Sequence, residues 1–297
     1  MHRRESKIGS IFDIFNVIFL CLLGLITLYP FVYIASVSIS DINAIIRQSI
    51  YLWPVGFSLD AYSLVFSDVK ILMAYFNTLW YTGIGTFINV IIVTLAAYPL
   101  SRKYYSQRNW IMIYFAITMF FSGGLVPTYL LVNQLGLYNT RWAIILPGAV
   151  SVWNLVIARV FFTNTIPQEL TDAAKIDGAG EFMIYLKIVL PLSKAIMAVL
   201  VLYSGVAHWN NFFGPLIYLV DQDKFPLSLY LRRVLITGIN IEAEMRPDLY
   251  TDSIKNQAIL EQVKHATIMV TMLPIMCSYP FLQKYFVKGV MIGSLKG

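Results

Sequence analysis

Residues 167–191 read PQELTDAAKIDGAGEFMIYLKIVLP, and the fold turns on what flanks them. The stretch carries Glu169, Asp172, Lys175, Asp177, Glu181 and Lys187, yet long apolar runs precede and follow it. A helix needs about 20 apolar residues to cross the hydrocarbon core of a bilayer. A charged, helix-forming insert cannot lie in lipid, so this one is predicted to stand in water between two spans. Pro167 suits the first turn of a short helix, where its missing N–H is not needed. Glu169 and Asp172 then sit near the positive end of the helix dipole. Ala173 and Ala174 are strong helix formers, small enough to let a partner surface approach the backbone. Gly178 and Gly180 can end the helix and turn the chain. The amphipathic run Phe182–Leu190 follows, and Pro191 opens the next span.

Working outward, the whole chain has the composition such an insert needs. Of its 297 residues 58% are hydrophobic and 13% charged, with a mean hydropathy of +0.67. Soluble domains run nearer half and a quarter. The expected fold is therefore all-α: a polytopic membrane protein with six transmembrane helices, read as one domain over 1–297. The spans fall at about 12–37, 72–99, 110–132, 142–163, 194–220 and 266–287. The polar insert occupies 164–193, and a long outer loop 221–265. Loop 38–71 holds Trp53-Pro54 and Asp60, which suggests turns and a short surface helix. Ser122-Gly123-Gly124 with Pro127, and Pro147-Gly148, interrupt the third and fourth spans. The basic, then apolar N-terminus exceeds the 7–15 apolar residues of a signal peptide and is read as a retained first span.

Lys and Arg near span ends set orientation. Arg3, Arg4, Lys7, Arg102, Lys103 and Arg108 share a side with Lys175, Lys187 and Lys194, so both termini and the insert are assigned to the cytoplasm. The net charge of +6 is scattered over loops and does not suggest nucleic acid. Cys21 and Cys277 lie in apolar runs and form neither a disulfide framework nor a metal spacing. His2, His208 and His265 are dispersed, with no phosphate loop and no catalytic or metal constellation. Residues at span depth that are polar mark pathways by default, which singles out His208, Trp209, Asn210 and Asn211, with Asn154 and, more weakly, Asn77, Asn89 and Asn133. Helix-to-helix hydrogen bonding plus a kink is the structural alternative for them. Arg159, one turn from a span end, reads as snorkelling. Arg232 and Arg233 in the outer loop are candidates to meet an acidic substrate or a binding protein.

The insert resembles the cytoplasmic signature of bacterial ABC importer permeases: E-A-A, three residues, Gly, nine residues, I-x-L-P. Here it reads Asp172-Ala173-Ala174, Gly178, then Ile188, Leu190 and Pro191, with Asp for the usual Glu and every spacing kept. Asp177-Gly178-Ala179 is similar to the sugar-importer version. Phe121–Tyr129, Leu135–Thr140, Trp209-Asn210, Tyr279–Gly289, Gly293 and Lys296-Gly297 extend the resemblance to maltose-type carbohydrate importers, in the branch that includes alginate importer permeases. Because Trp209-Asn210 recurs in members with different sugars, the resemblance favours a structural role for that pair. It implies the type I importer permease fold and a non-catalytic subunit in the bacterial inner membrane. It implies a second homologous permease, two ATPase subunits docked on the inserts, and a soluble solute-binding protein that delivers an oligosaccharide. ATP and Mg would be bound by the partners and no cofactor by this chain. A permease for another solute, or an integral membrane enzyme acting on glycan or lipid, is the alternative reading.

Overall fold

The computed structural model describes residues 7–237 and 253–294. The described elements, in order, are α1 (Lys7–Ser38), α2 (Ile42–Ile46), α3 (Asp60–Ser67), α4 (Val69–Ser101), α5 (Arg108–Phe120), α6 (Leu125–Gln134), α7 (Trp142–Ile145) and α8 (Val152–Thr165). They continue with α9 (Gln168–Ile176), α10 (Glu181–Ile184), α11 (Leu190–Leu192), α12 (Lys194–Trp209), α13 (Phe213–Tyr218), α14 (Leu227–Thr237) and α15 (Ser253–Ser294). A π-helical turn, Tyr185–Val189, joins α10 to α11. Short 3-10 turns lie at Leu146–Gly148 and Gln222–Lys224. Among the described residues extended pairing is limited to one isolated bridge, Ser40 to Phe57. The all-α expectation holds.

The chain divides into two compact units, Met1–Val69 with Leu231–Met272, and Lys70–Tyr230 with Leu273–Gly297. In the first, α1 offers a membrane-length run, Phe12–Ser38, whose most apolar window is exposed throughout. An apolar helix left bare in this way needs lipid or another subunit around it. Only its last turns are covered: Val37 packs with Ala44 and Ile50, and Gln262 donates to the Ser40 carbonyl at 2.6 Å.

The second unit is organised on α4, 33 residues long. Its C-terminal half contributes Val93, Ala97 and Leu100 to a core completed by Leu155, Ala158 and Phe162 of α8, Ile184, Tyr185 and Val189 of the insert, and Ile196 and Leu200 of α12. Midway, Gly85 lets the His208 ring lie against the α4 backbone; a methyl group there would meet ring atoms at 2.5–2.9 Å. Small residues at such crossings are how membrane helices approach closely, because lipid supplies no hydrophobic drive between them.

Among the described residues two helices, Phe12–Ser38 and Val69–Ser101, are long and apolar enough to cross a membrane unbroken. Three further stretches qualify only as bent pairs. The expected third span splits into Arg108–Phe120 and Leu125–Gln134, bent by 111°. Gly124 causes it, with a φ of +85° that other residues avoid. The fourth bends by 48° between Trp142–Gly148 and Val152–Thr165, and the chain entering the fifth bends by 84° between Glu181–Leu192 and Lys194–Trp209. The expected fifth span, 194–220, is itself interrupted between Trp209 and Phe213. The outer segment 221–265 is not simply a loop. It holds a 3-10 turn, α14 and the start of α15, while 238–252 lie outside the described residues. Loop 38–71 holds two short helices rather than one.

Candidate functional site

The insert folds as its residue types dictate. Pro167 stands as the N-cap residue with extended backbone, and α9 runs from Gln168 to Ile176. Gly178 ends it at a φ of +82°. The Gly178 N–H donates to the Lys175 carbonyl at 3.0 Å and the Ala179 N–H to the Ala174 carbonyl at 2.9 Å. This is the left-handed helix stop that glycine permits. Thr171 is fully buried and Ala174 packs on the core. Glu169, Asp172, Ala173, Asp177 and Gly178 face solvent, and Ile176 is 87% exposed. Ile176 closes α9, with Ala173 one turn before it and Asp177 next in the chain. Gln168 donates to Asp172 at 3.1 Å, steadying the exposed acid. Ile188 and Leu190 are half-buried against the core, and Pro191 is exposed at the start of the bend.

A polar cluster ties the insert to the C-terminal end of α4. Glu181 accepts hydrogen bonds from the Tyr98 hydroxyl at 2.8 Å and the Tyr104 hydroxyl at 2.9 and 3.0 Å. Lys175 Nζ lies 2.7 Å from Glu181 Oε1 and 3.8 Å from the centre of the Tyr104 ring. Burial pushes the Glu181 carboxyl up, but the hydrogen bonds from Lys175, Tyr98 and Tyr104 outweigh it and leave the group below its ordinary range. The Glu181 hydrogen bond raises Lys175 in turn, and burial, then Glu181, raises the Tyr104 phenol. Arg102, 2% exposed, stacks over the Tyr98 ring at 5.1 Å and makes a long contact, 3.5 Å, to the Ile166 carbonyl. Arg159 is not a snorkelling side chain. Its Nε donates to the Leu100 carbonyl at 2.9 Å, because α4 and α8 pack closely enough for a guanidinium to satisfy the helix end. Glu181 was legible only as one charge among several; Tyr98 and Tyr104 gave no signal, since aromatics abound in this chain.

Farther along α4, a cleft of about 520 Å³ opens among α4, α7, α8, α12 and α13. Four of the predicted pathway residues, Asn89, Asn154, His208 and Asn211, line it together with Ser151, Trp153, Tyr203 and Ser204. Asn154 Nδ2 donates to Asn89 Oδ1 at 3.2 Å, and Asn89 Nδ2 to the Ala149 carbonyl at 2.9 Å. The second bond satisfies a backbone carbonyl freed where α7 gives way to α8, as irregular backbone at membrane depth requires, and the first holds Asn89 in place for it. Asn211 accepts from the Gly214 N–H at 3.2 Å and so caps α13 across the helix break. Trp209 and Asn210 are not among the cleft-lining residues. Trp209 is buried edge-on against Tyr75, ring centres 6.1 Å apart, and Asn210 ends α12 in an exposed position. Trp153 and Tyr203, which do line it, carried no signal in the sequence beyond their aromaticity. Arg232 and Arg233 lie on α14 rather than in a loop, Arg232 half-buried and Arg233 exposed.

At its other end α4 is stapled by neutral groups. Asn77, fully buried, donates to the Asp223 and Phe225 carbonyls at 2.6 and 3.2 Å and accepts from Arg141 at 2.8 Å. Tyr81 donates to the Lys224 carbonyl at 2.9 Å, and the Leu227 N–H to Thr78 at 2.7 Å. Asn139, at a φ of +56°, accepts from the Val220 and Asp221 N–H groups, both at 3.1 Å.

A membrane-type helical unit with an exposed polar insert at one end of its central helix and a cleft along it defines a transport subunit. Comparison with known proteins places it further. The chain is 40% identical over 297 residues to Protein LplC of Bacillus subtilis (strain 168), covering 99% of this chain and 97% of the relative. It is 37% identical over 289 residues to the polygalacturonan/rhamnogalacturonan transport system permease protein YtcP of the same strain, covering 97% and 99%. It is similar, at a TM-score of 0.88 and 32% identity over 96% of this chain and 100% of the other, to a chain of a bacterial ABC transporter involved in the import of the acidic polysaccharide alginate. No family model matches the chain. The chain belongs to the permease subunits of ABC importers for oligosaccharides, which are multi-pass membrane proteins and not themselves catalytic; ATP hydrolysis is the work of separate subunits.

Proposed function

We propose that this chain is one of two permease subunits of an importer for acidic, uronate-type oligosaccharides. The observation that carries this reading is a juxtaposition within one unit: α12 lines the polar cleft with His208 and is joined, across the 84° bend at Ser193, to α11, the π turn and the exposed insert. A push on the insert is thereby delivered to the cleft. The acidic class is supported by two similar proteins, one named for polygalacturonan and rhamnogalacturonan, the other for alginate.

In this account the chain crosses the cytoplasmic membrane six times as one permease domain, both termini and the insert inside. Asp172, Ala173, Ala174, Asp177 and Gly178, with Glu169, form the surface on which an ATPase subunit docks, and Ile188, Leu190 and Pro191 carry its motion to α12. ATP and Mg belong to that subunit. His208, Asn154 and Asn211 offer hydrogen bonds to hydroxyl and carboxylate groups, and Trp153 and Tyr203 offer rings for stacking; the cleft volume falls in the range of small-molecule sites. Trp209 and Asn210 serve the helix break. Arg232 and Arg233 belong to the face that meets the solute-binding protein. A second permease subunit and lipid cover the bare surface of α1. Cleft opening alternates between the two sides of the membrane.

The test is reconstitution of the complex in proteoliposomes, with ATP hydrolysis stimulated by loaded binding protein. Alginate and galacturonate oligosaccharides should stimulate it and be taken up, and neutral maltooligosaccharides should not. Stimulation by the neutral sugars alone would refute the acidic class. Permeases that assemble no ATPase, or that keep theirs when Ile176→Asp and Ala173→Arg are combined, would refute the docking surface.

A further inference from the structure

We infer that Glu181 is a positioning residue that makes α9 and the C-terminal end of α4 one moving body, so that force applied to α9 reaches the spans instead of being lost in the turn beside it. The inference rests on the reading that α9 docks an ATPase.

The turn is where such a lever would fail. Between α9 and α10 the backbone passes through Gly178 and Gly180, and glycine restrains φ and ψ less than any other residue. Within the turn the Asp177 side chain faces solvent and Ala179 offers only a methyl group against the core, so most of the stiffening must come from elsewhere. Glu181 supplies it from outside. It is the first residue of α10, and its two oxygens are shared among three donors: Lys175 from the end of α9, Tyr98 from α4, and Tyr104 from the segment between α4 and α5. One carboxylate thus closes a loop across the flexible turn and fastens it to the span. Lys175 adds a second tie by lying over the Tyr104 ring. The other flank of α9 is fastened to the same place, through Arg102 to the Ile166 carbonyl and Thr163 to the Ser101 carbonyl, each at 3.5 Å. Both sides of the lever therefore lead to residues 98–104.

Such a cluster contributes little to stability. Lys175 and Glu181 side chains are 35% and 50% exposed, and ion pairs in that setting are worth about 0–1 kcal/mol. What it supplies is geometry: three charge-assisted hydrogen bonds to one carboxylate leave few arrangements open. This separates a positioning role from a structural one.

The experiment compares oligosaccharide uptake per ATP hydrolysed in proteoliposomes holding the full complex. In Glu181→Ala the ATPase should still co-purify and hydrolyse ATP within about twofold of wild type, while uptake per ATP falls about tenfold as all three bonds to the carboxylate are lost. Tyr98→Phe with Tyr104→Phe should move the ratio in the same direction without removing any charge, and Glu181→Asp should restore part of it. An unchanged ratio overturns the inference. So does a parallel fall of uptake and hydrolysis, which would make Glu181 a residue of assembly. If no ATPase binds even wild type, the docking reading has failed, and Glu181 is judged by amide hydrogen exchange over 177–182. Exchange about tenfold faster in Glu181→Ala supports the clamp; unchanged exchange overturns it.

Discussion

The two ends of α4 are fastened by different chemistry. At the N-terminal end, buried amides and hydroxyls of Asn77, Thr78 and Tyr81 bond backbone groups of residues 223–227, far away in sequence. At the C-terminal end, one half-exposed carboxylate gathers an ammonium and two phenols, all of them side chains. The first arrangement is costly to break because Asn77, Thr78 and Tyr81 are buried, and a fully buried polar group that loses its partner cannot turn to water instead. The second sits in water and costs little to break, yet it ties the two sides of a glycine turn to α4 through side chains. Stability is thus concentrated at one end and transmission at the other, and variants at the two ends should fail in different ways.

The largest effect is expected between those ends. Gly85→Val places a branched side chain where even one carbon meets the His208 ring at 2.5–2.9 Å. Overpacking of this kind costs about 1–3 kcal/mol, and the His208 ring, or α12 with it, must shift. Folded yield and thermal midpoint should drop sharply, measured by size-exclusion of the detergent-solubilised chain; a normal midpoint would show that α4 and α12 do not cross as described. Asn77→Ala comes next. It leaves two carbonyls and Arg141 without their partner, for about 1–3 kcal/mol and a fall of several degrees in the thermal midpoint. An unaltered midpoint would erase the contrast between the two ends. Glu181→Ala should move the midpoint least, by the equivalent of less than about 1 kcal/mol, despite its large effect on transport. The smallest effect is that of pH. Glu181 is depressed below its ordinary 4.5, so its contribution is present above that value and lost as pH falls through the lowered one. Lys175 is raised above its ordinary 10.5, so its contribution is complete below that value and lost as pH rises through the higher one. Uptake per ATP should therefore be flat between those limits, and a step near neutral pH would indicate another group in control.

Much of the first-order architecture was legible because it depends on local pattern. The insert was readable from Pro167, Ala173-Ala174 and Gly178, each of which acts through its own backbone. The apolar runs were readable from length alone. Their bends were only partly so: Ser122-Gly123-Gly124 and Pro147-Gly148 announced two of them, but the third falls at Ser193 with no glycine beside it, and neither is there a glycine inside the π turn at Tyr185–Val189. It arises where Ile184, Tyr185 and Val189 are all drawn into one core. The site divides along the same line. Asn154, His208 and Asn211 stood out as polar residues in apolar surroundings, and they do converge. Trp209 stood out equally but is set in helix packing against Tyr75, since nothing in a lone aromatic tells a ring in a cleft from one in a core. The Glu181 cluster was invisible because two of its three donors, Tyr98 and Tyr104, lie 83 and 77 residues away, and pairing at that range is a property of the packed helices.

The most direct test of the account is the number of oligosaccharides imported per ATP hydrolysed by the reconstituted complex, wild type against Glu181→Ala. The account predicts an intact, ATP-hydrolysing complex whose uptake per ATP has fallen about tenfold. An intact complex with the wild-type ratio would contradict it.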